Sequence, residues 1–498
     1  MRPIPTSTRI LVIGGGPGGS TAATLLARQG YEVVLFERAH FPRYHIGESL
    51  LPSILQILNL LGASHKIEEM GFQLKHGAFF EWGPEQWGLN FGELGGRCTY
   101  SYQVERAEFD HALLKHAESQ GVDVFEGVQV ESLQFEGDRP ARAVWIRRER
   151  APGPATVGNN VVANGEVSFD YLIDASGRAG ILATRYLRNR RFHKVFQNVA
   201  LWGYWKDARR AASGRAGDIC CGSIENGWLW AIPLRNQTTS VGVVMHKDTF
   251  MAKRAASADL HRMYADSIAE SPLIQNIVDP GTLTSIIHTE QDYSYASGEF
   301  CGPNYFMVGD AACFLDPLLS SGVHLATYSA LLAAASINSI LRREVMVNEA
   351  SVFYERTYRQ AYLRFLVFLS AFYDVGRTKE SYFWEAQRLT KLDVETGDLK
   401  MAFLNLVTGI KDLSDAQDNA HRVILETMTR RVNENLDLRK DKAALASLAA
   451  EHQSQVTANE RFFTSVEGLF ALNENEAVEG LFVAAEPYLH LARANRTS

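Results

Sequence analysis

Gly14, Gly16 and Gly19 stand at G-x-G-x-x-G spacing, directly after the apolar run Ile10-Leu11-Val12-Ile13 and directly before an Ala/Leu-rich stretch. No other feature restricts the fold as strongly. The first glycine permits a tight turn, the second lets backbone approach a pyrophosphate, and the third lets a helix pack closely on a strand. The turn carries Pro17 and runs into Ser20, where a helix N-terminus offers unpaired N–H groups and a positive dipole end to phosphates. A second apolar run, Val33-Val34-Leu35-Phe36, ends in Glu37 and Arg38, with the acid about where a ribose-binding carboxylate belongs. A glycine triplet alone also reads as an ordinary turn. Between a strand and a helix, and completed by Glu37, it predicts a dinucleotide-binding βαβ unit.

The chain has 498 residues, enough for two or three domains around a large core. A hydrophobic share of 46% and a formal charge of -7 fit a globular protein and give no sign of nucleic acid or a membrane surface as partner. Cys98, Cys220, Cys221, Cys301 and Cys313 lack metal-ligand spacing, so no metal site is expected, and their scatter suggests reduced thiols in the cytoplasm. Residues 1–8 are too short and polar for a signal peptide. The most apolar stretch, 325–341, contains Thr327, Ser329, Ser336, Asn338 and Ser339, which favours a buried helix over a membrane span.

Along the chain, Pro42 and Gly47 punctuate a loop before helical pattern resumes at Leu50, and 71–82 reads as one strand in which Lys75 is the sole charge before Glu81. Residues 107–119 form an amphipathic helix with Phe109, Leu113, Leu114 and Ala117 on one face. A strand is expected over 122–130, and 141–147 pairs with 167–173 around a polar loop. From 192 to 288 the pattern turns to alternating, aromatic-rich strands, an antiparallel second layer whose high point is Trp228-Leu229-Trp230-Ala231-Ile232-Pro233. Beyond 342 nearly everything reads helical, including 353–374 and 418–433, with the charge run 439–442 on a solvated face.

The Gly14 fingerprint with Glu37, the stretch Asp174-Ala175-Ser176-Gly177, and Gly309-Asp310 together resemble the FAD-binding fold of the p-hydroxybenzoate hydroxylase type. The resemblance implies an α/β (α+β) architecture: a discontinuous Rossmann-like FAD domain over 1–74, 106–185 and 290–345, an antiparallel substrate-side sheet over 75–105 and 186–289, and a C-terminal helical region over 346–498. It assigns FAD contacts to Arg38, Ser49, Arg106, Asp174, Gly309, Asp310, Gly322 and Val323 besides the fingerprint residues. Asp310 by itself also reads as a helix cap.

Trp228, Trp230, Ile232 and Pro233 are similar to the Trp-x-Trp-x-Ile-Pro signature of flavin-dependent halogenases. Two further stretches agree: Ile46-Gly47-Glu48-Ser49 with Pro52-Ser53, and Asp316 through Ser320-Ser321-Gly322-Val323-His324. The resemblance fades after about residue 390. It implies FAD used as FADH2, received from a separate NAD(P)H-dependent flavin reductase, with oxygen and chloride or bromide yielding hypohalous acid. Backbone N–H groups of Ser321 and Gly322 are the expected halide donors. Lys75 matches the lysine that receives the oxidant through an internal tunnel, holding hypohalous acid as ammonium or forming a haloamine as amine; by position alone it also reads as a surface lysine on an edge strand. Trp228 and Trp230 would wall flavin from substrate, although a Trp-x-Trp can also be plain core packing. Tryptophan halogenases carry a glutamate where Leu319 stands, so a phenol, including a tyrosyl unit on a peptidyl carrier protein, is the expected substrate in natural-product biosynthesis, and Ser381-Tyr382-Phe383-Trp384 extends that likeness. An aromatic hydroxylase of the same fold is the alternative.

Overall fold

A computed structural model describes residues 2–82, 85–91, 99–150, 157–210, 216–256, 259–375, 471–474 and 477–494. The first apolar run becomes the strand Ser7–Ile13, parallel to Val33–Glu37 on one side and to Val157–Asp174 on the other, so that Ile13 lies opposite both Phe36 and Asp174. Ile10, Leu11 and Val12 are fully buried, because helices cover both faces of a parallel sheet. The eight-stranded sheet runs Cys301–Gly302, Tyr305–Met307, Val157–Asp174, Ser7–Ile13, Val33–Glu37, Asp123–Glu126, with the antiparallel pair Val128–Glu136 and Arg139–Arg150 attached to Val157–Asp174. The chain winds to one side of the first strand and later returns to the other. That switch point opens a crevice at the strands' C-terminal ends. Gly14 fits there at φ +107, and a Cβ on it would lie 2.2 Å from the Ala175 carbonyl oxygen. A Cβ at Gly19 would lie 1.9 Å from the Gly14 carbonyl oxygen, so only glycine lets the helix Pro17–Arg28 sit this close to the turn.

The second sheet has nine strands, in the order Cys313–Phe314, His288–Ser297, Arg190–Lys206, Thr238–His246, Gly227–Pro233, Ile219–Ile224, Gly77–Trp82, Glu85–Asn90, with Thr282–Leu283 beside Arg190–Lys206. It is antiparallel except where Ile219–Ile224 runs parallel to Gly77–Trp82. Every residue of Gly227–Pro233 is buried, since its alternate side chains enter two cores. Trp228, Trp230 and Ile232 join the core of the first sheet, while Leu229 and Ala231 meet Tyr264 and Ile274 in a second core.

Four expectations are corrected. The stretch 71–82 is two strands: Gln73–Lys75 pairs with Ser101–Gln103 in a small sheet of its own, and Gly77–Trp82 joins the large one. The stretch 122–130 is also two, because Gly127 at φ +73 turns the chain between Asp123–Glu126 and Val128–Glu136. His288–Ser297 belongs to the second sheet, although a boundary at 290 assigned most of it to the first domain. Past the helix Val347–Val375, the described C-terminal residues are not helical: Leu481–Ala484 and His490–Arg493 form an antiparallel pair. Alternation explains it, as Leu481, Val483, Leu489 and Leu491 all point into the core. Cys98 and the readings at 381–384, 418–433 and 439–442 lie outside the described residues.

The helix Ser321–Leu341 is long and apolar enough to cross a membrane, yet 89% of its apolar window is buried inside the fold. Its polar residues serve internal contacts. Asn338 accepts from Tyr31 Oη at 2.7 Å and donates to the Leu489 carbonyl, and Ser339 Oγ accepts from Leu491 N at 2.8 Å. The helix thereby pins the C-terminal pair.

Candidate functional site

A cavity of about 680 Å³ follows the crevice from the glycine turn to the start of the Ser321–Leu341 helix. At the first end, Gly14, Gly16 and Pro17 line it, and the Pro17–Arg28 helix opens without an acidic residue in its first turn. Glu37 fixes the turn: one carboxylate oxygen accepts from Gly15 N at 2.7 Å and the other from Ala39 N at 2.8 Å. Arg38 lines the same end and is exposed. Arg43, quoted in no motif, brings its guanidinium to 3.4 Å from where a Gly16 Cβ would sit, and holds Asp110 at 3.2 Å. A bare helix N-terminus beside a guanidinium is the donor set a pyrophosphate needs, so the cradle fits FAD.

Arg106 is held by Asp110 through bonds of 2.8 and 3.0 Å and donates to the Ile46 carbonyl at 2.9 Å. Burial alone would push the Asp110 carboxyl up, but the Arg106 guanidinium, seconded by Arg43, outweighs it and holds it below its ordinary value. Arg106, Gly309 and Asp310 line the cavity. Burial raises the Asp310 carboxyl, against the pull of Arg178, Arg106 and Arg190.

Not every expected contact reaches the cavity. Asp174 is fully buried and accepts from Ser176 N, Ser176 Oγ and Leu182 N, so it ties down its own loop and leaves the lining to Ala175, Ser176 and Gly177. Ser20 Oγ donates to the Gly15 carbonyl at 3.0 Å and braces the turn from behind. Gly19 is needed for packing, and Pro233 lies past the lining.

At the far end, Asp316 accepts from Leu318 N at 3.1 Å and from Asn198 Nδ2 at 2.8 Å, which pins the turn to the second sheet. Ser320 adopts φ +56, a left-handed conformation that starts the helix sharply. Ser321, Gly322 and Val323 then form its first turn on the cavity wall. A Cβ on Gly322 would meet nothing within 4 Å. Leu319 packs, partly buried, against the main core. His324 and Ser53, both in quoted motifs, bond to each other at 2.6 Å, and burial pushes the imidazole down to about 4. The pair is a neutral clamp between two helices.

Trp228, Trp230 and Ile232 close one side of the cavity, with Trp228 and Trp230 5.8 Å apart and Trp82 a further 6.5 Å from Trp228. Lys75 is absent from the lining and is no surface residue, being 2% exposed. Its Nζ donates to Ser49 Oγ at 2.8 Å and the Leu50 carbonyl at 3.1 Å, and lies 5.5 Å from the Phe91 ring centroid. Burial pulls the amine down to about 8, with Cys221 and Asp218 working against it. Ser49 both lines the cavity and touches Lys75. It joins the cavity lining to the buried amine.

Sequence reasoning gave no role to a polar cluster on the cavity wall. Glu48 accepts from Tyr204 Oη at 2.7 Å, Tyr204 and Tyr44 share a bond of 2.9 Å, and Trp202 Nε1 donates to Tyr44 Oη at 2.6 Å. His288 stacks against both Tyr44 and Trp202, with centroids 5.1 and 5.4 Å away. Burial raises the Glu48 carboxyl to about 7. The available signal was a carboxylate set between Gly47 and Ser49, the sole acid of the loop from Pro42 to Leu50.

Residues 9–99 and 95–407 match the family model described as tryptophan halogenase. The chain is 45% identical to a tryptophan 2-halogenase of Chondromyces crocatus, over 98% of this chain and 95% of the relative. It is 39% identical to the flavin-dependent halogenase gsfI of Penicillium aethiopicum, over 85% and 81%. Among solved structures it resembles the myxobacterial chondrochloren halogenase CndH, a variant of FAD-dependent halogenases, with TM-score 0.70 and 38% identity over 83% of this chain and 92% of that one. The flavin-dependent halogenase CmlS gives TM-score 0.68 and 32% identity over 87% and 78%.

Proposed function

The chain belongs to the flavin-dependent halogenases, oxidoreductases that work with FADH2, a halide and an aromatic substrate, and on that premise we propose that Lys75 delivers oxidised halogen to an electron-rich ring on the far side of the Trp228–Trp230 wall. One observation carries the reading. Lys75 is buried and does not line the cavity, yet its amine bonds to Ser49, which fronts it.

In this reading the glycine turn, Glu37, Arg43, Arg106 and Asp310 hold FAD along the crevice. When bound, the reduced cofactor supplies the activation of oxygen that converts a halide to hypohalous acid. Ser321 and Gly322 direct the first N–H groups of their helix at the halide, where the dipole favours an anion. The three wall side chains exclude the organic substrate from the cofactor and prevent direct oxygen transfer. An amine titrating near 8 is mostly ammonium at pH 7, with about one in ten neutral. The ammonium donates a hydrogen bond to the hypohalous oxygen and makes the halogen more electrophilic; the neutral amine exchanges N–H for N–halogen and releases water.

The substrate class we propose is a phenol, carrier-borne tyrosine included, because Leu319 offers no acid to assist an indole. The relative named a tryptophan 2-halogenase supplies the competing ring. The test is an assay with FADH2 from a separate reductase, oxygen and chloride or bromide, offered small phenols, tyrosine on a peptidyl carrier protein and free tryptophan. Halide-dependent halogenation of the phenols is expected. Turnover of tryptophan alone overturns the phenol assignment, and hydroxylation without halide overturns halogen transfer.

A further inference from the structure

The amine of Lys75 is enclosed by protein on all sides. Ser101 faces it across the small sheet in register, and Ser101 and Gln103 are both fully buried. The strand Ile219–Ile224 forms another wall, with Ile219 opposite Ala78. The residues just before that strand therefore run alongside the Lys75–Gly77 segment. The contact is close: a Cβ at Gly217 would lie 1.8 Å from the Leu74 carbonyl oxygen, and Gln103 Nε2 donates to the Gly217 carbonyl at 3.0 Å. Between that glycine and the strand stands Asp218, fully buried.

We propose that Asp218 is the counter-charge of Lys75, a positioning residue that keeps the buried amine protonated and aimed at Ser49. The inference rests on reading Lys75 as the halogen-transfer residue. An ammonium withdrawn from water needs a carboxylate nearby or loses its proton. Lys75 is coupled electrostatically to two acidic side chains, Cys221 and Asp218. Burial pushes the Cys221 thiol far above its ordinary value, so it stays neutral and supplies no charge. Glu48, next to Ser49 in sequence, is turned to Tyr204 on the cofactor side. Ser49, Ser101 and the Phe91 ring carry no charge. Asp218 remains.

The experiment follows Lys75 directly by NMR of protein carrying carbon-13 at the lysine ε position, with Lys75→Met identifying the signal. In the wild type the Lys75 midpoint lies below those of the surface lysines. In Asp218→Asn it moves down by about one pH unit or more, a roughly tenfold fall in the ammonium-to-amine ratio at fixed pH. Asp218→Glu restores it towards the wild-type value, and Cys221→Ala leaves it in place. An unmoved midpoint in folded Asp218→Asn overturns the proposal, as does a larger displacement by Cys221→Ala. If Asp218→Asn does not accumulate, the double variant Lys75→Met/Asp218→Asn decides. A stranded buried charge is relieved by removing its partner, so recovery of folded protein is expected and continued failure overturns the pairing. Lys75→Ala activity is a separate readout: retained halogenation would sink the role of Lys75 while leaving the titration result intact.

Discussion

At the scale of single residues, two buried titratable groups, Lys75 and Glu48, respond to pH in opposite directions. On the proposed role of Lys75, Lys75→Ala removes the cation that would hold the oxidant, so halogenated product falls by about 10²-fold or more, while FAD affinity and oxygen consumption persist. Comparing product by mass spectrometry with oxygen uptake checks it. Stability moves the other way. Because the folded amine titrates near 8 instead of 10.5, its charge opposes folding below pH 8, and that penalty fades as pH rises from 8 to 10.5. The double variant Lys75→Met/Asp218→Asn, which strands no buried carboxylate, therefore gains Tm on wild type at pH 7, at about 1.4 kcal/mol for each unit of depression, and the gain shrinks by pH 10. Glu48 has the reverse sign. Its carboxyl is raised to about 7 from 4.5, so the relative stability it gives is full at low pH and is lost as pH rises through 7. Glu48→Gln keeps an oxygen for Tyr204 to donate to, and its Tm advantage over wild type is expected at pH 8 and not at pH 4. A flat difference between the two melting series would refute the assignment.

Among elements, the Ser321–Leu341 helix gives the cleanest test, since its first turn faces the cavity and its body is buried. Valine at Gly322 would extend into open space, without a clash in the fold. Gly322→Val is expected to abolish halide-dependent product by filling the space over the first N–H groups, with FAD titrating nearly as in wild type; an unchanged dependence on halide concentration would move the halide elsewhere. The elements most legible in the sequence are those whose pattern is local. The strand, glycine turn and helix at 7–28 follow from apolar periodicity and spacing, and the strand Gly227–Pro233 from its alternation. What escaped was decided by distant partners. Gln73–Lys75 and Gly77–Trp82 read as one strand because the break at His76 reflects pairing with Ser101–Gln103 and Ile219–Ile224, which local pattern does not contain. Asp174 was read as a cofactor ligand because a strand-end acid looks alike facing in or out; only the Leu182 amide, eight residues on, decides.

For the whole molecule, one glycine fingerprint opens onto one crevice that fits FAD, and flavin-dependent halogenases receive their cofactor reduced by a separate reductase. Purified protein mixed with FAD and NADH or NADPH is therefore expected to leave the flavin oxidised, with halogenation appearing once a reductase is added. Anaerobic absorbance of the flavin checks this, and rapid bleaching without reductase would contradict it. The two-layer architecture was legible from the change of pattern after residue 190; the seam between the layers was not. His288–Ser297 follows the second sheet because its partner is Arg190–Lys206, a hundred residues earlier. Arg43, Glu48 and Asp218 were missed for a kindred reason, since each gains meaning only from the side chains that the fold brings to it.

The cavity is lined by stretches reaching from Ile13 to Ala326, and the helix that closes it is tied at its other end to the strand pair near Leu489. A growing chain on the ribosome thus lacks the far end of the crevice until more than 320 residues have been made. Flavin cannot act as an early template for folding, and extra riboflavin in an expression culture can rescue only completed chains. Fragments ending before Ser321 should emerge colourless, however well their first sheet is formed.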